Sequence, residues 1–490
     1  MNNRNLLLNL ITVLLAITTM FSLFGKEEKN FLGAEQFSTL SEALKAAKGK
    51  TLVISQPLKM VNSHNIVTED TSLLFTKKGI IVGKESSTLE IKGVLTAPFM
   101  QIFSGNTKVR FKSNSVTEVY PQWWGAKGDG KTDDTAAVQA AIDSQICSIK
   151  LPQGKYLITK PLNFTNLSGI ILQGVGDNSK LIGCTGDIVI DTAGSKELNF
   201  RDFTIVSGKN NPSTIGILYA RSEKCKFVEF NSLTNININI ASNPEANNGN
   251  GTVAIYNYAS EIWRGRDLYL QADNAVVFTG FNIFKIKSYY VEKIKQYASM
   301  SCVTIDGAST LRGRKGPCVT LDNATRVEIL NAYYCGSRKV KDAFPYAIKA
   351  ASFWTFSLTI TGHKERAGGW LYVDGHIRNL KLEGTAMGKE NKPAVYILPK
   401  RSISFGNISL DPLVSKEMVL LEAGANAAVK NFTIDLYQKQ KITAPKARFC
   451  GNTVRVLQSM KDTVSTIQVS PKASYILMAE DGIMIKGEKK

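Results

Sequence analysis

Three carboxylates and a lysine recur at similar places in a series of β-type segments: Asp306 ends CVTID, Asp322 ends CVTLD, Lys349 lies in YAIKA and Asp374 ends WLYVD. Two carboxyl groups on one face are what glycoside hydrolysis uses. One gives a proton to the leaving oxygen and the other activates water, across roughly 6.5–9.5 Å in inverting enzymes. If the segments stack as neighbouring strands, Asp322 and Asp374 stand two steps apart, roughly 9–10 Å between backbones. Lys349 falls between them, placed to bind a substrate carboxylate or to serve as the base in a β-elimination. His376, two residues past Asp374, is a candidate general acid. Arg264, Arg266, Arg312 and Arg314 suit gripping uronate groups or acting as elimination bases. Tyr256, Tyr258, Trp263 and Trp354 offer faces for stacking on sugar rings. Each group also has a plainer reading. Asp306-Gly307, Asp322-Asn323 and Asp374-Gly375 are turn dipeptides, in which Asp bonds its own backbone. The arginines sit in RGR and RGRK strings that solvate readily, a lone His is commonly structural, and aromatics in a β-solenoid commonly pack between coils.

The segments that would position these groups repeat. Anchored on the last buried apolar residue, the set reads Ile190, Leu218, Ile255, Phe278, Ile305, Leu321, Ile348, Val373, Ile397 and Leu421, and the steps 348→373→397→421 are 25, 24 and 24 residues. A fixed period of this length in β-type residues, with no helical segment between copies, predicts a solenoid, because one coil cannot bury its own apolar face. A second motif (RDFTI, RDLYL, RNLKL, GNISL, KNFTI) keeps a constant phase to the first. It makes Asp202, Asp267, Asn379, Asn407 and Asn431 bend residues, since Asn and Asp tolerate left-handed backbone. Two strand phases with room for a third predict an all-β parallel β-helix of three sheets. The step from Ile305 to Leu321 is too short for a coil, so CVTID reads as part of an inserted hairpin, CVTLD as the true rung, and 309–317 as a loop insertion.

The chain has 490 residues, 43% of them apolar and 21% charged, with a net charge of +19 and pI near 9.4. It is an ordinary folded protein with an unusually basic surface, which attracts anionic partners such as polyuronates, nucleic acid or anionic glycans. Residues 1–25, apolar from Leu6 to Phe24 after Arg4, have the form of an export signal or signal anchor. Seven scattered cysteines make no disulfide framework and no metal-ligand spacing. Cys302 and Cys318 hold matching places in like strands and would suit a bridge if those strands were neighbours.

Four parts follow: 1–25 for export; 26–118 as a small N-terminal β-solenoid region with a helix at Thr39–Ala47; 119–436 as the main β-helix; and 437–490, whose strands read as out of phase with the rungs, as a C-terminal β cap. The string KTDDTAAVQAAIDS (131–144) predicts a short helix capping the stack, N-capped by Asp133 or Asp134, with Val138, Ala141 and Ile142 on one face. Trp123 and Trp124 are expected to bury there.

The string YPQWWGAKGDGKTDDTAAVQAAID (120–143), followed by ILQGVGDNSKLIG (171–183), resembles the entry segment of the pectate lyase superfamily, in its rhamnogalacturonase and epimerase-like branch. The resemblance implies a right-handed β-helix that acts on or binds polysaccharide, and its motif marks the cap and not an active site. Polygalacturonase-type hydrolases of that superfamily carry Asn-Thr-Asp, Asp-Asp, Gly-His-Gly and Arg-Ile-Lys in successive rungs. None stands in a rung here, where the Asp-Asp pair is Asp133–Asp134 and the histidines are His64, His363 and His376. The expectation is therefore a secreted, periplasmic or surface protein of a bacterium. It would cleave an acidic, pectin-like polysaccharide by hydrolysis or elimination, or else serve as a non-catalytic glycan-binding scaffold. Nucleic acid is not an expected partner, and a membrane is one only if the leading segment stays uncleaved. No cofactor is expected, calcium being admitted only for a lyase.

Overall fold

A computed structural model describes residues 30–486 except 106, 113, 223–227, 281–283, 285–300, 337–342, 352–354, 366–367, 388–391, 413–418, 438–439, 458–465 and 480–481. The expected export segment, Cys225 and Trp354 lie outside the described residues. The chain forms two compact units, Met1–Lys127 with Ala136–Lys150, and Gly128–Thr135 with Leu151–Lys490.

In the first unit, the strands Thr51–Ile54, Ser72–Phe75 and Leu95–Thr96 pair in parallel. So do Pro57–Lys59, Ile80–Val82 and Phe103–Ser104, and the set His64–Val67, Thr88–Ile91 and Lys108–Phe111. Each short coil thus gives one strand to each of three small sheets. Strict alternation turns Leu52, Ile54, Leu73, Phe75, Leu89 and Ile91 inward, as period-two patterning requires. A helix at Leu40–Ala46 precedes the coils, and Thr39 accepts the Glu42 N–H at 3.3 Å as its N-cap. The later helix, Thr135–Asp143, buries Val138, Ala141 and Ile142 as expected. Its Ala136–Asp143 portion clusters with the first unit, while the Thr135 N–H donates to Asp133 at 3.0 Å. Trp123 is buried and its indole N–H donates to the Pro98 carbonyl at 3.1 Å.

The second unit is a right-handed parallel β-helix. A 12-stranded parallel sheet runs from Leu162–Asn163 to Thr466–Val469, taking one strand from each coil, and a longer sheet collects the remaining strands. The three sheets expected are three faces but two hydrogen-bonded sheets. Single strands such as Arg326–Gly336, Thr355–Glu365 and Ser402–Pro412 round a corner unbroken. In earlier coils the corner splits them, as in Glu261–Arg266 and Tyr269–Ala272. The interior is a column of Ile, Leu, Val and Phe with two fully buried indoles. Trp263 meets Tyr219 and Phe278 at 6.1 and 5.4 Å, and Trp370 meets Tyr334 at 5.4 Å.

Four expectations are corrected here. Asp202, Asp267 and Asn431 do adopt left-handed backbone, but Asn379 and Asn407 do not, and Phe405 (φ 67°) takes that place in the rung of Asn407. The motif marks two different bends: Asp202, Asn235 and Asp267 share one, whereas Phe405 and Asn431 share the other. Second, Ser301–Asp306 and Thr310–Gly313 are successive strands of the longer sheet, and not a hairpin and a loop. Leu321 is indeed the rung residue, in register with Phe278. Third, 437–490 does not break phase. Lys441–Ala444 and Thr466–Val469 continue one sheet and Arg448–Val456 and Ser474–Ala479 the other, before a final antiparallel strand at Gly482–Lys486. Fourth, Cys302 and Cys318 lie in and beside strands of different sheets, and both are free. Peptide mapping without reductant is expected to yield no Cys302–Cys318 crosslink. Native alkylation should modify exposed Cys147 and spare Cys318, whose thiol burial pushes up to about 12.

Candidate functional site

The 12-stranded sheet turns alternate residues outward, and pairing register fixes which of them stand side by side. Thr320, Lys349, Tyr372, Tyr396 and Glu422 form one outward column. Thr279 and Asp322 are paired two residues further along. Because Leu321 pairs with Ala350 and Ala350 with Val373, the next residues of those coils, Asp322, Ala351 and Asp374, follow one another. Asp322 and Asp374 therefore do stand two coils apart on one face, roughly 9–10 Å between backbones. The small side chain of Ala351 lies between them. Lys349 belongs to the intervening coil but stands two residues earlier, so the single column expected from sequence is two adjacent columns.

Asp322 is nearly buried, at 9% exposure, and accepts a hydrogen bond from the Thr279 hydroxyl at 3.2 Å. Burial raises its carboxyl to about 6, against the opposing pull of that bond and of the Lys349 charge. Asp374 is ion-paired with Arg401, at 3.2 Å to Nη2 and 3.3 Å to Nε. His376 does not stand on the face of Asp322 and Asp374: it opens the longer-sheet strand His376–Met387, opposite Ser402, and shares a 2.7 Å hydrogen bond between its Nδ1 and the Ser402 hydroxyl. Burial and then the Arg401 charge lower its pKa. Its ring is thus neutral near pH 7, a form that accepts protons more readily than it gives them.

Above this acidic pair runs an aromatic ladder that the sequence reading passed over. Tyr346, Tyr372 and Tyr396 lie 5.3–6.5 Å apart, and Phe344 meets Tyr346 and Tyr372 at 6.0 and 5.3 Å. Lys349 Nζ sits 5.9 Å from the Phe344 ring centre. Burial, and then neighbouring acidic and phenolic groups, raise the pKa of Tyr346 and Tyr372, so both keep their hydroxyl protons. A signal was present: Tyr372 and Tyr396 each stand immediately before a rung anchor, Val373 or Ile397.

The other candidates lie elsewhere. Asp306 is in the longer sheet, 3.8 Å from Arg266, which also meets Asp267 at 3.7 Å. Arg264 is exposed in the same strand as Arg266, in register with Thr304. Arg312 lies over the Tyr269 ring at 5.6 Å. Arg314 donates to the Ile240 carbonyl and, at 2.6 Å, to Asn239 Oδ1, ties that brace neighbouring coils. Asp306, Arg264, Arg266 and Arg312 belong to the longer sheet, Arg314 directly follows its strand Thr310–Gly313, and none of the five stands on the face of Asp322. Tyr256 and Tyr258 are buried on the outer face of earlier coils, in an apolar cluster with Leu218, Val277 and Phe284. Trp263 points into the interior. No three His, Cys, Asp or Glu side chains converge among the described residues.

The chain is similar in part to several known proteins. Capsule K3-specific depolymerase 1 of Klebsiella phage KP32 is 30% identical over 166 residues, spanning 28% of this chain and 19% of that protein. The chain thus spans about a fifth of the length of that relative. Among solved structures, the A-module of Azotobacter vinelandii mannuronan C-5 epimerase AlgE4 aligns with 74% of this chain and 96% of its own, at 13% identity and a TM-score of 0.40. PfbA, a surface adhesin of Streptococcus pneumoniae, aligns over 75% and 94%, at 12% identity and a TM-score of 0.36. Residues 122–311, which take in much of the string that carried the resemblance, match the rhamnogalacturonase A/epimerase, pectate lyase-like family.

Proposed function

We propose that this protein cleaves an acidic polysaccharide laid across the outer face of the 12-stranded sheet. The observation that carries the reading is a pair of carboxyl groups in unlike environments two coils apart, Asp322 buried and raised to about 6, Asp374 ion-paired with Arg401. Unlike environments divide two carboxyl groups into acid and base. Asp322 gives its proton to the glycosidic oxygen, while Asp374 accepts one from water in the space beside Ala351, the inverting arrangement. Lys349 holds a substrate carboxylate and the tyrosine ladder carries the sugar rings. Work outside the cell on capsule or other surface polysaccharide is consistent with the phage depolymerase relative.

The test is incubation of the purified chain with polyuronates, bacterial capsular polysaccharides and neutral glycans. Reducing ends and the ultraviolet absorbance of unsaturated uronates are followed. New reducing ends without unsaturated products are expected. Unsaturated products would instead make Lys349 the base of an elimination, and binding without either signal would leave a glycan-binding scaffold. Because the proton donor must be protonated, kcat/KM is expected to fall as pH rises through about 6. Tyr372→Ala should raise KM by about tenfold with a smaller change in kcat, the loss of one stacking face.

A further inference from the structure

The N-terminal unit holds a cleft of its own, of about 400 Å³, within the range of ligand sites. One wall is a helix face. Ser41, Leu44 and Lys45 lie on the helix Leu40–Ala46 beside its buried stripe of Leu40 and Ala43, and Lys48 follows in the turn past the C-cap Ala47. The other wall is the strand His64–Val67, whose alternation turns His64 and Ile66 outward. The two walls are tied by the Asn62 side-chain amide, which donates to the Ser41 hydroxyl at 3.0 Å.

The lining divides chemically. Leu44 and Ile66, the latter 38% exposed, make an apolar patch. Ser41 and Thr68 supply hydroxyl groups, His64 an imidazole, and Lys45 and Lys48 positive charge, while Asn65 and Thr71 lie buried beneath them and bond to the Asn62 and Ala47 carbonyls. No Asp or Glu lines the cleft. The nearby Asp70, which accepts from Thr68 at 2.5 Å and feels the Lys48 charge, stands outside it. His64 is the one aromatic ring in the lining. An apolar patch, hydroxyl partners, an imidazole and two ammonium groups fit a pyranose ring that bears an anion.

We propose that this cleft is a binding site for an anionic sugar unit of a polysaccharide. The ring's C–H face rests on Leu44 and Ile66, and its carboxylate or sulfate meets Lys45 and Lys48. The inference needs no catalysis at Asp322. Its test is affinity electrophoresis of the full chain in gels holding polygalacturonate, dextran sulfate or neutral dextran, alongside turnover of short oligosaccharides. Lys45→Glu/Lys48→Glu is compared with Lys77→Glu/Lys78→Glu, the same charge change on an exposed turn. Retention in at least one anionic gel is expected to weaken tenfold or more in the cleft variant alone, with turnover unchanged and no retention in neutral dextran. The gel affected tells uronate from sulfate. Equal losses in both double variants, or none in either, would overturn the site. Ile66→Ser, which alters no charge, should weaken retention about fivefold, and undiminished retention would overturn the sugar-ring contact. Should the double glutamate variant melt early, Lys45→Gln/Lys48→Gln carries the same comparison.

Discussion

Asp322→Asn is expected to lower turnover by roughly 10²- to 10⁴-fold, the usual worth of a positioned proton donor, and at the same time to make the protein more stable at neutral pH. The second half follows from linkage. The folded-state pKa of Asp322, about 6, lies above the ordinary 3.8. The fold therefore disfavours the ionised form. Well below pH 3.8 the group is protonated in both states and costs nothing. As pH rises from 3.8 to about 6 the unfolded chain ionises while the folded protein keeps its proton, so stability falls by ~1.36 kcal/mol per pH unit to a full cost of roughly 3 kcal/mol, which then stays level above about 6. An asparagine escapes that cost. Thermal melts should show the variant's advantage level at pH 7–8, shrinking as pH falls from about 6, and gone only below the ordinary 3.8. Full activity in Asp322→Asn would remove it from the site, and a variant no more stable at pH 8 than the parent would show that its carboxyl is not raised.

Trp370→Ala should give the largest loss of stability. The side chain is fully buried in Gly369–Val373, its ring 5.4 Å from that of Tyr334 in the longer sheet, and it fills the interior between the two sheets. Removing a buried indole costs about 3–5 kcal/mol, for lost transfer free energy and the cavity left behind. Tyr346, Tyr372 and Lys349 are carried by this strand or its neighbours, so the damage falls on the site as well. Denaturant unfolding checks it. A midpoint shift worth less than about 1 kcal/mol would mean that the coils collapse around the gap.

The fold was legible because its signal is repetition. Inward apolar residues recur coil by coil, and a period needs no long-range information to be seen, although the expected anchors do not form one column: Ile348 and Leu421 pair with Leu371 and Val395, two residues before Val373 and Ile397. Register was harder. Phase within a coil depends on how many residues each corner consumes, and corners vary. Asp306 resembles Asp322 in its flanking residues, Ile-Asp-Gly against Leu-Asp-Asn, yet the intervening chain completes the longer sheet and puts the two on different faces. The same uncertainty of phase separated Lys349 by two residues from the column of Asp322 and Asp374. The arginines were visible as charge, but their partners, such as the Ile240 carbonyl beneath Arg314, come from other coils and leave no local trace. The raised pKa of Asp322 is likewise a product of burial that no turn dipeptide announces.

The reversal of the last strand has its own consequence. A stack of parallel coils ends in an edge whose unpaired amides and carbonyls fit another parallel strand, from a second copy as well as from itself. Gly482–Lys486 runs antiparallel to Ser474–Ala479 and occupies that edge. In the longer sheet a further parallel strand cannot then pair with that side of Ser474–Ala479, whereas the 12-stranded sheet ends on Thr466–Val469, and truncation before residue 482 would expose the parallel edge of both.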